Sequence, residues 1–249
     1  MKLTVIGCSG SLPGPDSPAS CYLVEAEGFR LLLDVGSGAI GPLQRVLALT
    51  DIDAVLLSHL HPDHCLDLCG LYVALRYAPG AGLGERLPVY GPSGTAQRLA
   101  HAYGPDQGRE VTDVYEVREV LEGEWALGPW RVTARRVAHP VEAYAYRLEH
   151  GGSVLAYSGD CSPCEGLDEV AAGADLALIE AAFVESPDNP AGYHHTGREA
   201  GVLAARARVR RLVVTHVPPW HDREAQAAAA RVSYGGPVDA ARPGATYEV

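Results

Sequence analysis

The sequence predicts an α/β protein with two β-sheets, and three patterns along its 249 residues support that class. Short apolar segments near the amino terminus are separated by tight turns, which indicates an antiparallel start. Several strand-like segments crowd together in the middle of the chain, which indicates a second sheet. The last third alternates strand-like and helix-like segments, as expected for parallel strands joined by helices.

The first part of the chain predicts five strands and three helices. The strands are Leu3 to Ile6, Ser20 to Glu25, Arg30 to Asp34, Ala54 to Leu57 and Leu87 to Tyr90. Two helices are predicted at Ala39 to Leu47 and Ser93 to Tyr103. A third is indicated by Leu68, Leu71 and Leu75, which repeat with helical period.

The remainder predicts eight strands and three helices. Five strands form the second sheet: Val111 to Val117, Glu124 to Leu127, Trp130 to Ala138, Ala143 to Leu148 and Ser153 to Tyr157. Helices at Glu165 to Ala172, Arg198 to Ala207 and Arg223 to Val232 then alternate with strands at Leu176 to Glu180, Leu212 to Thr215 and Thr246 to Val249. Thr196 and Glu199 form a capping-box pattern, which marks a helix start. Because no linker or repeat interrupts the chain, we expect one domain over residues 1–249.

Composition limits the classes of function. The formal net charge of -11 disfavours extended contact with tRNA or DNA. No apolar stretch is long enough for a membrane helix or a signal peptide, so we expect a cytoplasmic protein without membrane contact. The six cysteines are too scattered for a disulfide framework and are expected as free thiols. Cys161 and Cys164 have the spacing of a redox or zinc pair, but a single such pair is more often incidental.

A dense group of potential metal ligands follows the fourth predicted strand. It consists of His59, His61, Asp63 and His64. Alternate residues of an extended segment point the same way, and Pro62 favours a turn after it, so a simple strand cannot carry all four onto one ion. We therefore expect two ions, with His59 and His61 at one and Asp63 and His64 at the other. The alternative interpretation is a chance cluster of histidines.

Three later residues are candidates to complete these ligand sets. His139, Asp160 and His216 each follow a predicted strand, as the first group does. Any one of them alone would more often be structural. Together with the first group they supply enough nitrogen and oxygen ligands for two coordination spheres.

These residues resemble the metallo-β-lactamase-fold hydrolases over nearly the whole chain. The resemblance implies a four-layer αββα sandwich, with two mixed sheets flanked by helices. It also implies two divalent ions, with zinc preferred and manganese or iron also compatible. The first would take His59, His61 and His139, the second Asp63, His64 and His216, and Asp160 would bridge them.

A second resemblance concerns the branch of this family that processes tRNA 3′ ends and cleaves phosphodiesters. Glu180-Ala-Ala-Phe183 and His194-His-Thr196 are similar to its Glu and HxT elements. This similarity implies that Glu180 orients His194 and that His194 assists the leaving oxygen. The branch carries a tRNA-gripping arm between the third histidine and the bridging aspartate, and here that interval is too short. The missing arm and the acidic charge both disfavour a tRNA substrate.

Three segments of the sequence resemble those of a group of atypical bacterial cyclic-nucleotide phosphodiesterases. The matching segments are Gly7-Cys-Ser-Gly-Ser11, Leu57-Ser-His-Leu-His-Pro-Asp-His64 and Thr215-His-Val-Pro-Pro-Trp220. The resemblance implies hydrolysis of a small cyclic nucleotide such as 3′,5′-cyclic AMP by attack of a metal-bridging hydroxide that Asp63 aligns. His194 would protonate the leaving oxygen. Alternatives are an RNA 3′-end endonuclease lacking the arm, an ester, thioester or lactone hydrolase, and a non-catalytic metal-binding or nucleotide-sensing module.

The expected partner is accordingly a small phosphodiester substrate, with no long nucleic acid and no membrane, and a homodimer is compatible with the sequence. Trp220 and His221 are expected to border the pocket, since an aromatic ring can stack on a base. The other histidines, His101, His150 and His195, are expected at the surface or behind the metal ligands.

Overall fold

The computed structural model describes residues 1–79, 85–104 and 113–249, which form two mixed seven-stranded sheets. The first sheet contains β1 (Lys2–Gly7), β2 (Cys21–Ala26), β3 (Phe29–Leu33), β4 (Ala54–Leu56), β5 (Leu87–Gly91) and β6 (Tyr115–Glu119), and β14 (Thr246–Glu248) is added beside β1. The second contains β7 (Gly123–Leu127), β8 (Trp130–Arg136), β9 (Tyr144–His150), β10 (Ser153–Tyr157), β11 (Leu176–Glu180), β12 (Arg211–Thr215) and β13 (Val238–Ala240), in that order across the sheet.

Each sheet begins with antiparallel pairs and continues with parallel ones. In the first sheet β1, β2 and β3 are antiparallel, whereas β3 to β6 run parallel. In the second sheet β7 to β10 are antiparallel and β10 to β13 are parallel. Parallel neighbours end at the same edge of a sheet, so residues that follow β3 and β4, or β10, β11 and β12, are brought close together.

Helices cover the outer faces of both sheets. They are α1 (Ile40–Leu43), α2 (Pro62–Cys65), α3 (Leu68–Tyr77), α4 (Thr95–Tyr103), α5 (Glu165–Ala171), α6 (Gly197–Arg206) and α7 (Arg223–Tyr234), with a 3₁₀ turn at Leu49–Asp51. Among the helices of the described ranges, none is long and apolar enough to cross a membrane.

Three buried apolar clusters hold the layers together. Leu31, Trp130 and Tyr146 belong to the cluster between the two sheets. A second cluster packs α1 to α4 on the first sheet, and a third packs α5 to α7 on the second. The order helix, sheet, sheet, helix confirms the predicted αββα sandwich.

The structure corrects several predicted elements. The strand predicted at Val111 to Val117 is β6, which pairs in parallel with β5 and so belongs to the first sheet, not the second. Its predicted first two residues lie outside the described residues. The helix predicted at Ala39 to Leu47 ends at Leu43. The sequence also did not predict β13, a strand of three residues at the edge of the second sheet.

Candidate metal centre

Three imidazole rings converge where β4 and β8 end. His59 and His61 lie between β4 and α2, and His139 follows β8. His59 Nε2 is 3.0 Å from His61 Nδ1, which is 3.2 Å from His139 Nε2. Asp160, which follows β10, places Oδ2 3.6 Å from His59 Nε2. The ligand atoms of these four residues are close enough together to hold one metal ion.

A second group shares Asp160 with the first. Asp63 and His64 lie in the short helix α2, and His216 follows β12. His216 Nε2 is 3.1 Å from both His64 Nε2 and Asp63 Oδ2. Asp160 Oδ1 lies 3.1 Å from His64 Nε2 and 3.3 Å from His216 Nε2. The structure therefore places Asp160 between the two groups, and all four members of the second group are buried.

The chemistry of this donor set fits divalent cations. Asp160 is only 2% exposed, yet its Oδ1 accepts no hydrogen bond. Ring nitrogens that face one another at 3.0–3.2 Å cannot all carry protons, so they direct lone pairs into a shared space. Imidazole nitrogen and carboxylate oxygen suit zinc, manganese and iron. The two groups, joined at Asp160, fit the two ions that the sequence predicts.

The three rings of the first group favour the neutral form, whereas the ring of His64 favours the protonated form. Burial, aided by the neighbouring histidines, lowers the pKa of His59, and burial likewise lowers the pKa of His61 and His139. Neutral imidazole is the form that binds a metal. For His64 burial acts to lower the pKa, but the surrounding carboxylates, Asp160 foremost, raise it well above its usual range. A cation bound at His64 would replace that proton because both need the same lone pair.

Asp34, to which the sequence assigned no role, orients the cluster from behind. It is completely buried at the end of β3, and its Oδ2 accepts hydrogen bonds from His64 Nδ1 at 2.7 Å and from Tyr157 Oη at 2.5 Å. Ser58 donates to it twice, from its backbone N–H at 2.6 Å and from Oγ at 2.7 Å. The Oγ of Ser58 in turn lies 3.0 Å from His59 Nδ1. Asp34 thus fixes the ring of His64 with Nε2 facing the second group, and through Ser58 it does the same for His59.

Replacement of Asp34 by Ala is expected to weaken metal affinity by roughly 10–100-fold, because the ring of His64 loses the acceptor that orients it. Titration of the metal-free protein against a chromogenic chelator measures this change. Asp51→Ala is a suitable control, since Asp51 is a solvent-exposed carboxylate on the 3₁₀ turn. Unchanged affinity in Asp34→Ala would show that the buried hydrogen bonds do not support the site.

Two residues at the centre have backbone conformations that the sequence pattern does not predict. Asp34 and His216, each directly after a strand, have positive φ angles of 56° and 52°. Such left-handed residues cost about 1–3 kcal/mol each and concentrate at functional sites. Gly36 allows the chain to pass close to α2, because a Cβ there would lie 1.9 Å from the carbonyl oxygen of Asp63. These turns aim the side chains that follow β3 and β12 into one space.

Buried Glu180 and half-buried His194 form a pair beside the second group. Glu180 is completely buried at the end of β11, and its Oε1 accepts a 2.8 Å hydrogen bond from His194 Nδ1. The His194 ring centroid lies 5.5 Å from that of His139 and 5.8 Å from that of His216. The confirmed capping box at Thr196 starts α6 and so fixes the segment that carries His194. Glu180, His194 and His216 also lie close enough to form a third potential metal group.

The other residues that the sequence singled out are Trp220, His221 and three further histidines. Trp220 is 62% exposed on the loop that follows His216, and its ring lies 6.1 Å from that of His221. His101 is exposed and His150 is half-buried, as predicted. His195 lies behind the ligands rather than at the surface, because it is completely buried and its Nδ1 donates to the carbonyl oxygen of Cys161 at 2.5 Å.

Comparison with known proteins places this geometry in context. A family model described as the beta-lactamase superfamily domain matches residues 29–217. An uncharacterized protein of Mycobacterium leprae is 45% identical over 254 residues, which cover 100% of this chain and 89% of that protein. A ribonuclease Z of Mycobacterium bovis is 31% identical over 246 residues, which cover 88% of this chain and 86% of that enzyme.

A solved crystal structure, that of YhfI, has the same fold as this chain. The probable metallo-hydrolase YhfI of Bacillus subtilis is 30% identical over 259 residues, with full coverage of both chains. Its crystal structure superposes with a TM-score of 0.88 at 28% identity, covering 100% of this chain and 99% of that one.

Proposed function

This chain belongs to the beta-lactamase superfamily as a metallo-hydrolase related to ribonuclease Z, and we propose that it hydrolyses a small cyclic nucleotide such as 3′,5′-cyclic AMP. The observation that carries this proposal is the Glu180–His194 pair, which stands beside two ligand groups joined by Asp160. A hydrolase that acts on an ester of a poor leaving group needs an acid at that position. The ligand groups alone do not provide one.

The proposed residue roles follow from the contacts. When bound, two divalent ions supply charge neutralisation at the phosphoryl oxygens and lower the pKa of water. Asp63, a buried member of the second group, would orient the attacking water. The protonated Nε2 of His194 would donate to O3′ as the bond from phosphorus to O3′ breaks. Glu180 holds Nδ1 of the same ring and so leaves Nε2 free for that donation.

The pH dependence of the reaction should report His194. Burial acts to lower its pKa, but the charge and hydrogen bond of Glu180 outweigh burial and raise the pKa to about 9. His194 is then protonated below this value, so kcat/KM on a substrate with a poor leaving group should fall as the pH rises through about 9. An activated diester needs no acid and should lack this decline. An identical decline for both substrates would remove His194 from the role of acid.

The surroundings of the site favour a small substrate. The interval from His139 to Asp160, which the structure describes throughout, consists of the β9–β10 hairpin inside the second sheet and leaves no room for an arm. The net charge of -11 repels a long polyanion. The similarity to a ribonuclease Z supports the second candidate, an RNA 3′-end endonuclease that grips its substrate without an arm.

A substrate panel tests these proposals. Metal-loaded protein is offered 3′,5′-cyclic AMP, 2′,3′-cyclic AMP, an activated phosphodiester, a lactone and a precursor tRNA at matched concentrations. The proposal predicts the highest kcat/KM for a cyclic nucleotide. Preference for the tRNA would favour the nuclease, and activity confined to the lactone would contradict phosphodiester hydrolysis altogether.

A further inference from the structure

Two thiols lie side by side next to the ligand groups. Cys161 is completely buried, whereas Cys164 is partly exposed at the start of α5. Burial and the neighbouring Cys164 raise the pKa of Cys161, and the Cys161 thiol lowers the pKa of Cys164, so the two thiols, three residues apart in the chain, are near neighbours. The pair therefore combines a partly exposed thiol with a buried one.

The segment that carries this pair is bonded to three parts of the centre. Cys161 directly follows Asp160, and its backbone N–H donates to Glu180 Oε1 at 3.0 Å. Its carbonyl oxygen accepts the hydrogen bond from His195. The N–H of the next residue, Ser162, donates at 3.0 Å to the carbonyl oxygen of Ala138, which precedes His139. Any shift of Cys161 is thus transmitted to Asp160, to Glu180 and to the strand end that holds His139.

We propose that Cys161 and Cys164 are a reversible oxidation site at which a peroxide forms a disulfide, and that this disulfide weakens the metal centre. The effect on metal binding rests on the proposed metal-binding role of Asp160. The formation of the disulfide does not.

The proposed formation of the disulfide consumes one equivalent of hydrogen peroxide. The thiolate of Cys164 attacks one peroxide oxygen, the O–O bond breaks, and hydroxide leaves to give a sulfenic acid. The thiol of Cys161 then attacks that sulfur, and a second hydroxide leaves with the thiol proton as water. Both sulfurs are oxidised, and the peroxide is reduced to two waters. The hydrogen bond from Cys161, opposed by partial burial, lowers the pKa of Cys164 to about 6, which favours the attacking thiolate.

The disulfide requires movement near the ligands. Its S–S bond is about 2.05 Å long, which is shorter than any contact between two unbonded sulfur atoms. Cys164 cannot approach alone without drawing on Cys161, which packs in the core of the second sheet together with Leu167 and Val170. The backbone between Asp160 and Ser162 is expected to shift as the bond closes, and the carboxylate of Asp160 moves with it.

The test uses the full-length protein, reduced and then exposed to limiting hydrogen peroxide. Peptide mapping should find Cys161 joined to Cys164 with the loss of two hydrogen atoms, and chelator competition should show metal affinity reduced by at least ~10-fold, both restored by dithiothreitol. Cys164→Ser should keep the basal metal affinity and lose the sensitivity. Cys69→Ser is the matched control, because Cys69 is also partly exposed but lies in α3 and has its pKa raised by burial. The metal affinity of this variant should remain as sensitive to hydrogen peroxide as that of the wild type.

The outcomes separate this inference from the proposed function. Failure to form the disulfide, or formation without any change in metal affinity, overturns the inference. A disulfide that weakens metal binding in a protein that hydrolyses none of the phosphodiesters would support the inference and contradict the proposed function instead.

Discussion

Asp160→Ala is expected to abolish hydrolysis and to empty both ligand groups. Its two oxygens lie 3.6 Å from His59 Nε2 and 3.1 Å from His64 Nε2, so one substitution removes a ligand from each group. Metal ions contribute several kcal/mol of transition-state stabilisation, which corresponds to a loss of at least ~10³-fold in kcat/KM. Metal content per chain, measured by inductively coupled plasma mass spectrometry after gel filtration, should fall together with the rate.

A matched control separates this effect from general loss of the fold. Asp168→Ala removes a partly exposed carboxylate in α5, close to Asp160 in sequence, whose partner is the exposed Arg206. It should keep full metal content and rate. If Asp160→Ala retained the wild-type metal content, Asp160 would not be a shared ligand and the assignment of two groups joined by it would be wrong.

His194→Ala is expected to lower kcat on 3′,5′-cyclic AMP by about 10²–10⁴-fold while metal content stays unchanged. The alkoxide at O3′ is a poor leaving group and needs a proton, which the ring held by Glu180 would supply. On an activated diester, whose leaving group needs no proton, the same variant should lose far less. The comparison of kcat for the two substrates is therefore the diagnostic measurement.

Two results would assign His194 differently. An equal loss on both substrates with reduced metal content would make it a ligand of the third group, formed by Glu180, His194 and His216. No loss on either substrate would remove it from the mechanism. His101→Ala, a substitution on the exposed face of α4, is the control and should behave as the wild type.

The sequence identified the seven residues that meet at the centre, but not the residue that orients them from behind. His59, His61, Asp63 and His64 are adjacent in the chain, and His139, Asp160 and His216 each follow a strand, so local patterns locate them. The structure brings all seven together, although their role as ligands stays a prediction. Asp34 was missed because its partners are distant in sequence: His64 meets it through the pairing of β3 with β4, and Tyr157 only when the two sheets pack. An acidic residue before a glycine turn carries no local sign of such partners.

Strand pairing was the other limit. A local pattern indicates that a segment is a strand but not which sheet it joins, so β6 was assigned to the sheet of its neighbours in sequence. Its parallel pairing with β5 depends on long-range packing. His195 was expected either at the surface or behind the ligands, and the structure places it behind them through its contact with the segment at Cys161. Both cases depend on contacts between distant parts of the chain.

The central proposal is that this metallo-hydrolase is a phosphodiesterase for a cyclic nucleotide. The most direct measurement is the rate of 5′-AMP release from 3′,5′-cyclic AMP by metal-loaded protein, by chelator-stripped protein and by metal-loaded Asp63→Ala. We expect turnover in the first sample, recovery in the second only after a divalent metal is restored, and a loss of at least ~10³-fold in the third. Equal rates in all three samples, or no release from fully loaded protein, would contradict it.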